Sequence, residues 1–141
     1  MTILGVLFFS SQFAQAAEPE LRLSPRKIRE EVRAVVAAQL EALRAGDFAT
    51  AYDFAAWGIR RQFDVQLFAV MIRRGYPALL RPGQAELGAV RDDGQGTAQV
   101  MVTVTDRQKS LTAYRYWLVN EEAGWRISGV VREVKPPRGD I

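Results

Sequence analysis

The sequence predicts an α+β domain in which N-terminal helices, one of them long, pack against a four-stranded antiparallel sheet. Three observations predict it. One apolar stripe at helical spacing runs through residues 28–43. Beyond residue 84 the hydrophobic period falls from that of a helix to that of a strand. The turn signals between the later segments are too short for crossover connections, so neighbouring strands must be antiparallel.

Ser24-Pro25 reads as a helix start, with serine as N-cap and proline at the first helical position. Ile28, Val32, Val35, Val36, Gln39, Leu40 and Leu43 form the buried stripe, while Arg29, Glu30, Arg33 and Glu41 fall largely off it. Gly46 supplies the left-handed stop, giving a helix of about 20 residues and about 30 Å. Asp47 caps a second helix carrying Phe48, Ala51, Tyr52, Phe54 and Ala55, which ends at Trp57-Gly58. Residues 59–63 read as a turn. Asp64 then caps a third helix with Leu67, Phe68, Met71 and Ile72; Gly75 stops it and Pro77 prevents its resumption.

Strands are expected over residues 85–90, 97–105, 111–120 and 125–134. In the second, Ala98, Val100, Val102 and Val104 share a face. In the third, Tyr114, Tyr116 and Leu118 lie opposite Leu111, Ala113, Trp117 and Val119. Bulky groups on both faces predict helices against one side of the sheet and a further contact on the other.

Residues 1–16 carry no charged side chain, hold an apolar run at 3–9, and end in Ala14-Gln15-Ala16, the small-x-small pattern of a signal-peptidase site. This predicts a signal peptide cleaved after Ala16 and a periplasmic or secreted protein. The plainer alternative is a loosely packed N-terminal strand. The apolar run is too short to span a bilayer as a permanent helix. A single domain over 17–134 and a flexible tail over 135–141, of Pro/Gly linker composition, complete the organisation.

The chain of 141 residues has no Cys and no His. Disulfides, thiolate nucleophiles, a Ser-His-Asp triad and an ordinary zinc or copper site are therefore excluded. No cofactor motif, phosphate loop or metal-carboxylate cluster is present, so no cofactor and no metal are expected. Asp, Glu and Tyr leave acid–base catalysis open. At 48% hydrophobic and 25% charged residues, the composition is that of a globular domain.

The long amphipathic helix, Gly46-Asp47-Phe48-Ala49-Thr50-Ala51-Tyr52 and the closing Gly124-Trp125-Arg126-Ile127 resemble the nuclear transport factor two superfamily, with its cystatin-like cone fold. Gly58-Ile59-Arg60, Phe63, Met71, Arg73, Gly75-Tyr76-Pro77 and Arg81-Pro82 resemble a bacterial family, domain of unknown function 4864, over about residues 28–133. The resemblance implies a curved, cone-like sheet wrapped around the long helix and a cone-shaped cavity. It implies no activity. Cone-fold enzymes place Asp, His and Tyr inside the cone, and no motif here transfers such a role to a numbered residue.

Two constellations are candidates. Tyr52, Trp57, Tyr76, Tyr114 and Tyr116 could line a ligand pocket, for which a cavity above about 300 Å³ is expected; the plainer reading is core. Arg60, Arg61, Arg73, Arg74 and Arg81 face a single local acid, Asp64, so this segment carries +4 while the rest of the chain sums to −1. Such a cluster suits an anion or an acidic partner; the plainer reading is a solvated face whose stems cover apolar surface. The loop between Tyr76 and Gly83 reads as a lid, a partner loop or a rigid connector. Asp53, Glu86 and Asp106 are the carboxylates least explained by caps and turns.

These features predict an exported, non-catalytic binding module for a small apolar or anionic ligand. A protein-interaction or homodimerisation module using the outer sheet face and the 76–83 loop is the alternative. An isomerase- or cyclase-like enzyme with an Asp base and Tyr donors is a third. Neither nucleic acid nor a stable membrane span is expected.

Overall fold

In the computed structural model, which describes residues 20–81 and 83–133, the chain runs β1 (Arg22–Leu23), α1 (Arg26–Arg44), α2 (Phe48–Asp53), α3 (Trp57–Arg60), α4 (Val65–Gly75), a 3₁₀ turn (Pro77–Leu80), β2 (Gln84–Asp92), β3 (Thr97–Thr105), β4 (Leu111–Glu121) and β5 (Gly124–Arg132). The predicted signal peptide and the 135–141 tail lie outside the described residues. Helices pack on one face of an antiparallel meander with strand order β1-β2-β3-β4-β5. Among the described residues, no helix is long and apolar enough to cross a membrane.

The sheet has five strands rather than the expected four. The addition is β1, which pairs Arg22 with Asp92 and Leu23 with Arg91. Two residues show no period, so hydrophobic pattern could not reveal them. Hydrogen bonds hold them instead. The Ser24 amide donates to the Val90 carbonyl at 3.0 Å, and the Ser24 hydroxyl donates to the Asp92 carboxylate. Ser24 is therefore not the helix cap: Pro25 occupies that position without a side-chain bond, and the first helical residue is Arg26.

Asp92 anchors this edge. Its carboxylate, 1% exposed, also accepts from Arg22 Nη2 at 3.1 Å and from the Gly94 amide at 2.9 Å. Burial alone would raise its pKa; the bonds from Ser24, Arg22 and Gly94, with the Arg22 charge, outweigh burial and hold the acid below the ordinary carboxylate range.

α1 buries Val32, Val36, Gln39, Leu40 and Leu43 along one stripe. Each fully buried valine contributes about 2 kcal/mol of transfer free energy. Outside the stripe, Arg26–Glu30 (2.8 Å) and Lys27–Glu31 (3.1 Å) pair one turn apart. At its end Gly46, at φ +73°, lets its amide reach the Leu43 carbonyl and the Asp47 amide reach Ala42, the Schellman closure. Asp47 and Asp64 cap α2 and α4 through the Thr50 and Leu67 amides at 3.1 and 2.9 Å.

The second helix stops at Asp53, four residues before the expected end. Residues 54–56 instead lie along the free edge of β5: the Ile127 amide donates to Phe54 and the Ala56 amide to Ile127, both at 2.8 Å. Buried Ala55 and Ala56 permit that approach because they carry no bulk. Trp57–Arg60 is then a separate helical turn, whose Trp57 amide donates to Glu121 Oε2 at 2.8 Å. A covered edge cannot recruit another strand.

β3 alternates perfectly, burying Ala98, Val100, Val102 and Val104. Tyr114, Tyr116 and Leu118 of β4 and Trp125 and Ile127 of β5 extend the same face. Register shifts in β2, between Leu87 and Val90, and at Trp117/Leu118 against β5 mark bulges, which bend and twist a sheet. Arg33 Nη1 secures the first by donating to the Leu87 and Gly88 carbonyls at 3.1 and 2.9 Å. Gly83, at φ +155°, passes so close to β3 that a Cβ would collide with the Thr105 carbonyl oxygen.

Candidate functional site

Tyr114 and Tyr116 are two residues apart on β4, so strand alternation sends both rings to the helix-covered face. Tyr76 joins them from the junction between α4 and the 3₁₀ turn. Its ring centroid lies 5.9 Å from that of Tyr114, and its hydroxyl donates to the Val130 carbonyl on β5 at 2.8 Å. With that bond and the buried Leu79, residues 76–80 are held against the core.

The triad is kept neutral by its surroundings. Burial, then the neighbouring Tyr114, push the Tyr76 pKa up to about 12. Burial also raises Tyr114, against the opposing Arg132 charge, the Ala78 backbone amide and the Arg81 charge. Tyr116 is fully buried and raised further, by desolvation first and then by Tyr114 and Tyr76, with Arg44 alone pulling the other way. At neutral pH all three phenols therefore carry their protons and can donate.

Tyr76 spends its proton on Val130. Tyr116 does not spend its own: the buried hydroxyl has no hydrogen-bond partner among the described residues. Neither do two atoms of Arg44, Nε and Nη2, which are also buried. An orphaned buried polar group costs about 1–3 kcal/mol, and more when charged. Arg44 as a whole is partly exposed, so its side chain runs from the surface at the end of α1 inward to the phenols. Arg44 closes the helix and also favours its negative end.

A depression of about 520 Å³ lies elsewhere, against Arg26, Lys27, Glu30, Glu31 and Ala34 on α1. The Arg26–Glu30 and Lys27–Glu31 pairs already match its charges, and none of the predicted tyrosines lines it.

The remaining predicted residues do not join the triad. Tyr52 packs edge-on against Phe68 at 5.4 Å, and its hydroxyl reaches the Arg60 and Phe63 carbonyls at 3.0 and 2.6 Å, fixing the turn between α3 and α4. Trp57 is 59% exposed with the Arg61 guanidinium 4.7 Å above its ring. Arg73 lies at the same distance over Phe48. Arg60 and Arg74 are exposed. Of the five arginines, Arg81 is the one whose charge acts on the triad, at Tyr114.

Sequence reasoning missed Arg44, which reads as an ordinary basic residue of a last helical turn, and Arg132, at the end of β5. Among the three carboxylates considered for catalysis, Asp53 and Glu86 are exposed. Asp106 accepts the Gln108 and Ser110 amides of its own turn, both at 2.9 Å. No hydrogen bond joins any of them to a tyrosine among the described residues, and no group of three or more Asp or Glu there could hold a metal ion.

The raised phenols set a pH dependence. Burial favours their neutral form, so their contribution to stability is complete below the ordinary tyrosine pKa of about 10 and is lost as pH rises through the folded values. In an alkaline titration at 295 nm, the native protein should withhold part of the phenolate signal of its four tyrosines until it unfolds. Four tyrosines titrating together with a midpoint near pH 10 and intact circular dichroism would contradict this.

A family model described as Domain of unknown function (DUF4864) matches residues 26–139. No curated protein and no solved structure matches the chain. The family match begins after β1, so it contains Asp92 but not its partners Arg22 and Ser24.

Proposed function

The chain belongs to the family described as Domain of unknown function (DUF4864), and from that premise we propose that it is an exported binding module, taking part of a small ligand between Tyr76, Tyr114, Tyr116 and the end of α1. The observation that carries this reading is the fully buried Tyr116 hydroxyl with no hydrogen-bond partner among the described residues. Buried hydroxyls are nearly always bonded, and one left open beside a second open donor suits an acceptor from outside. Binding rather than catalysis is favoured because Asp53 and Glu86 face solvent and Asp106 holds its own turn. In this reading the bulged sheet curves into a cone around α1, as the resemblance to the nuclear transport factor two superfamily implies. The leader at 1–16, with its small-x-small end, supports export to the periplasm or exterior.

Native mass spectrometry of the protein purified from its own host tests the reading. The expected spectrum shows a polypeptide beginning at Ala17 and a retained small-molecule mass that disappears in Tyr116→Phe. Polypeptide without any retained mass would count against a ligand.

The outer sheet face supports a second reading, homodimerisation. Leu111 and Val131 are 62% and 48% exposed there, and Arg115 pairs with Glu133 at 3.0 Å beside them. A monomer by light scattering at every concentration would remove it.

A further inference from the structure

We infer that the ligand carries an oxyanion, a carboxylate or phosphate on an apolar body, and that Arg44 is its counter-ion with the Tyr116 hydroxyl as second donor. The inference rests on the binding reading above and specifies its chemistry.

A guanidinium presents planar N–H donors and stays charged at any physiological pH. Arg44 buries two of its nitrogens without a carboxylate or carbonyl to receive them. Burial of an uncompensated cation is costly, and a neutral water offsets only the hydrogen-bonding part of that cost. An anion offsets both. The adjacent orphan, the Tyr116 hydroxyl, is likewise a donor, and because burial keeps the phenol protonated it offers no negative charge to Arg44. Every open group at this place therefore asks for an acceptor.

The surroundings agree in sign. Arg132 and Arg81 act on Tyr114 from the exposed side, and no acid opposes them among the groups acting on the three tyrosines. Arg44 acting on Tyr116, and Arg132 and Arg81 acting on Tyr114, put three charges of one sign around neutral phenols, a field that draws anions and raises their on-rate. The three tyrosines share one hydrophobic cluster with Leu43, Leu79 and Val102, so a ligand reaching these donors meets apolar side chains.

The test is calorimetric titration of the full mature chain with benzoate, phenyl phosphate, benzamide and inorganic phosphate, followed at the Arg44 Nε–H resonance. Benzoate or phenyl phosphate should bind and move that resonance, and whichever binds more tightly assigns the headgroup. Benzamide should bind at least about tenfold more weakly, the worth of one charge-assisted hydrogen bond. Arg44→Gln should lose about the same factor, and Arg44→Lys should recover part of it. Inorganic phosphate should bind more weakly than phenyl phosphate, since it lacks the apolar body. Equal affinity for benzoate and benzamide, unchanged by Arg44→Gln, overturns the anion while leaving a ligand site in place. No binding by any probe at millimolar concentration, with the Arg44 resonance unmoved, overturns both. Should Arg44→Gln fail to fold, the benzoate–benzamide ratio on the unmutated chain decides alone.

Discussion

Replacing Asp92 by alanine should destabilise the protein by about 3 kcal/mol, the cost of removing a buried charged acceptor from the buried Ser24 hydroxyl and two further donors. The carboxylate is sealed from water and receives the Ser24 hydroxyl, the Arg22 guanidinium and the Gly94 amide. Without it, the buried Ser24 hydroxyl and the turn amide lose their partner, and β1 loses the anchor that compensates for its two-residue length. The Arg22 pair itself adds little, because Arg22 is 57% exposed and solvent screens it. The hydrogen bonds carry the estimate. Acid should reproduce the effect in the unmutated protein. A carboxylate whose folded pKa is depressed contributes stability that is present above its unfolded value near 4 and lost as pH falls through the folded value. Urea unfolding followed from pH 6 to pH 2 should therefore show a falling midpoint whose slope is smaller in Asp92→Ala. Identical acid slopes would show that Asp92 does not anchor the edge.

Tyr116→Phe should act in the opposite direction. Its hydroxyl is buried and unpartnered, so removing the oxygen while keeping the ring relieves about 1–3 kcal/mol in the ligand-free protein. Tyr76→Phe is the control, and should cost about 1 kcal/mol because it strands the Val130 carbonyl. The two substitutions are chemically identical and lie within one cluster, so opposite signs in a denaturant series cannot come from general repacking. A stabilised variant that has also lost its ligand is the signature of a site maintained at the expense of the fold. Destabilisation by both would mean that the Tyr116 hydroxyl has a resident partner in the free protein.

Much of this architecture was legible, and the legible parts share a property. Asp47, Asp64 and Gly46 act on residues within a few positions of themselves, so their roles at helix ends could be read locally. The same holds for β3, whose alternating burial is its alternating sequence. What was not legible depends on contacts distant in the chain. Ser24 resembles an N-cap until Asp92, 68 positions away, takes its hydroxyl. By pattern alone the second helix runs on to Trp57; in the fold, Ile127 draws residues 54–56 out along the sheet edge. At the site, the pattern marked Tyr52, Trp57, Tyr76, Tyr114 and Tyr116 alike and could not show which of them meet, since all five are aromatics at amphipathic positions. Arg44 was invisible for the opposite reason. An arginine in a last helical turn is expected in water, and only three-dimensional packing buries its Nε and Nη2.

On this reading Arg44 and Tyr116 share an acceptor that the described residues do not provide. A crystal structure of the mature protein taken from its own host, at a resolution that shows ordered solvent, tests this most directly. Non-protein density is expected within hydrogen-bond distance of both the Arg44 guanidinium and the Tyr116 hydroxyl, with the shape of a carboxylate or phosphate group. An Arg44 turned out to bulk solvent, with the Tyr116 hydroxyl bonded to a group of the chain itself, would contradict it.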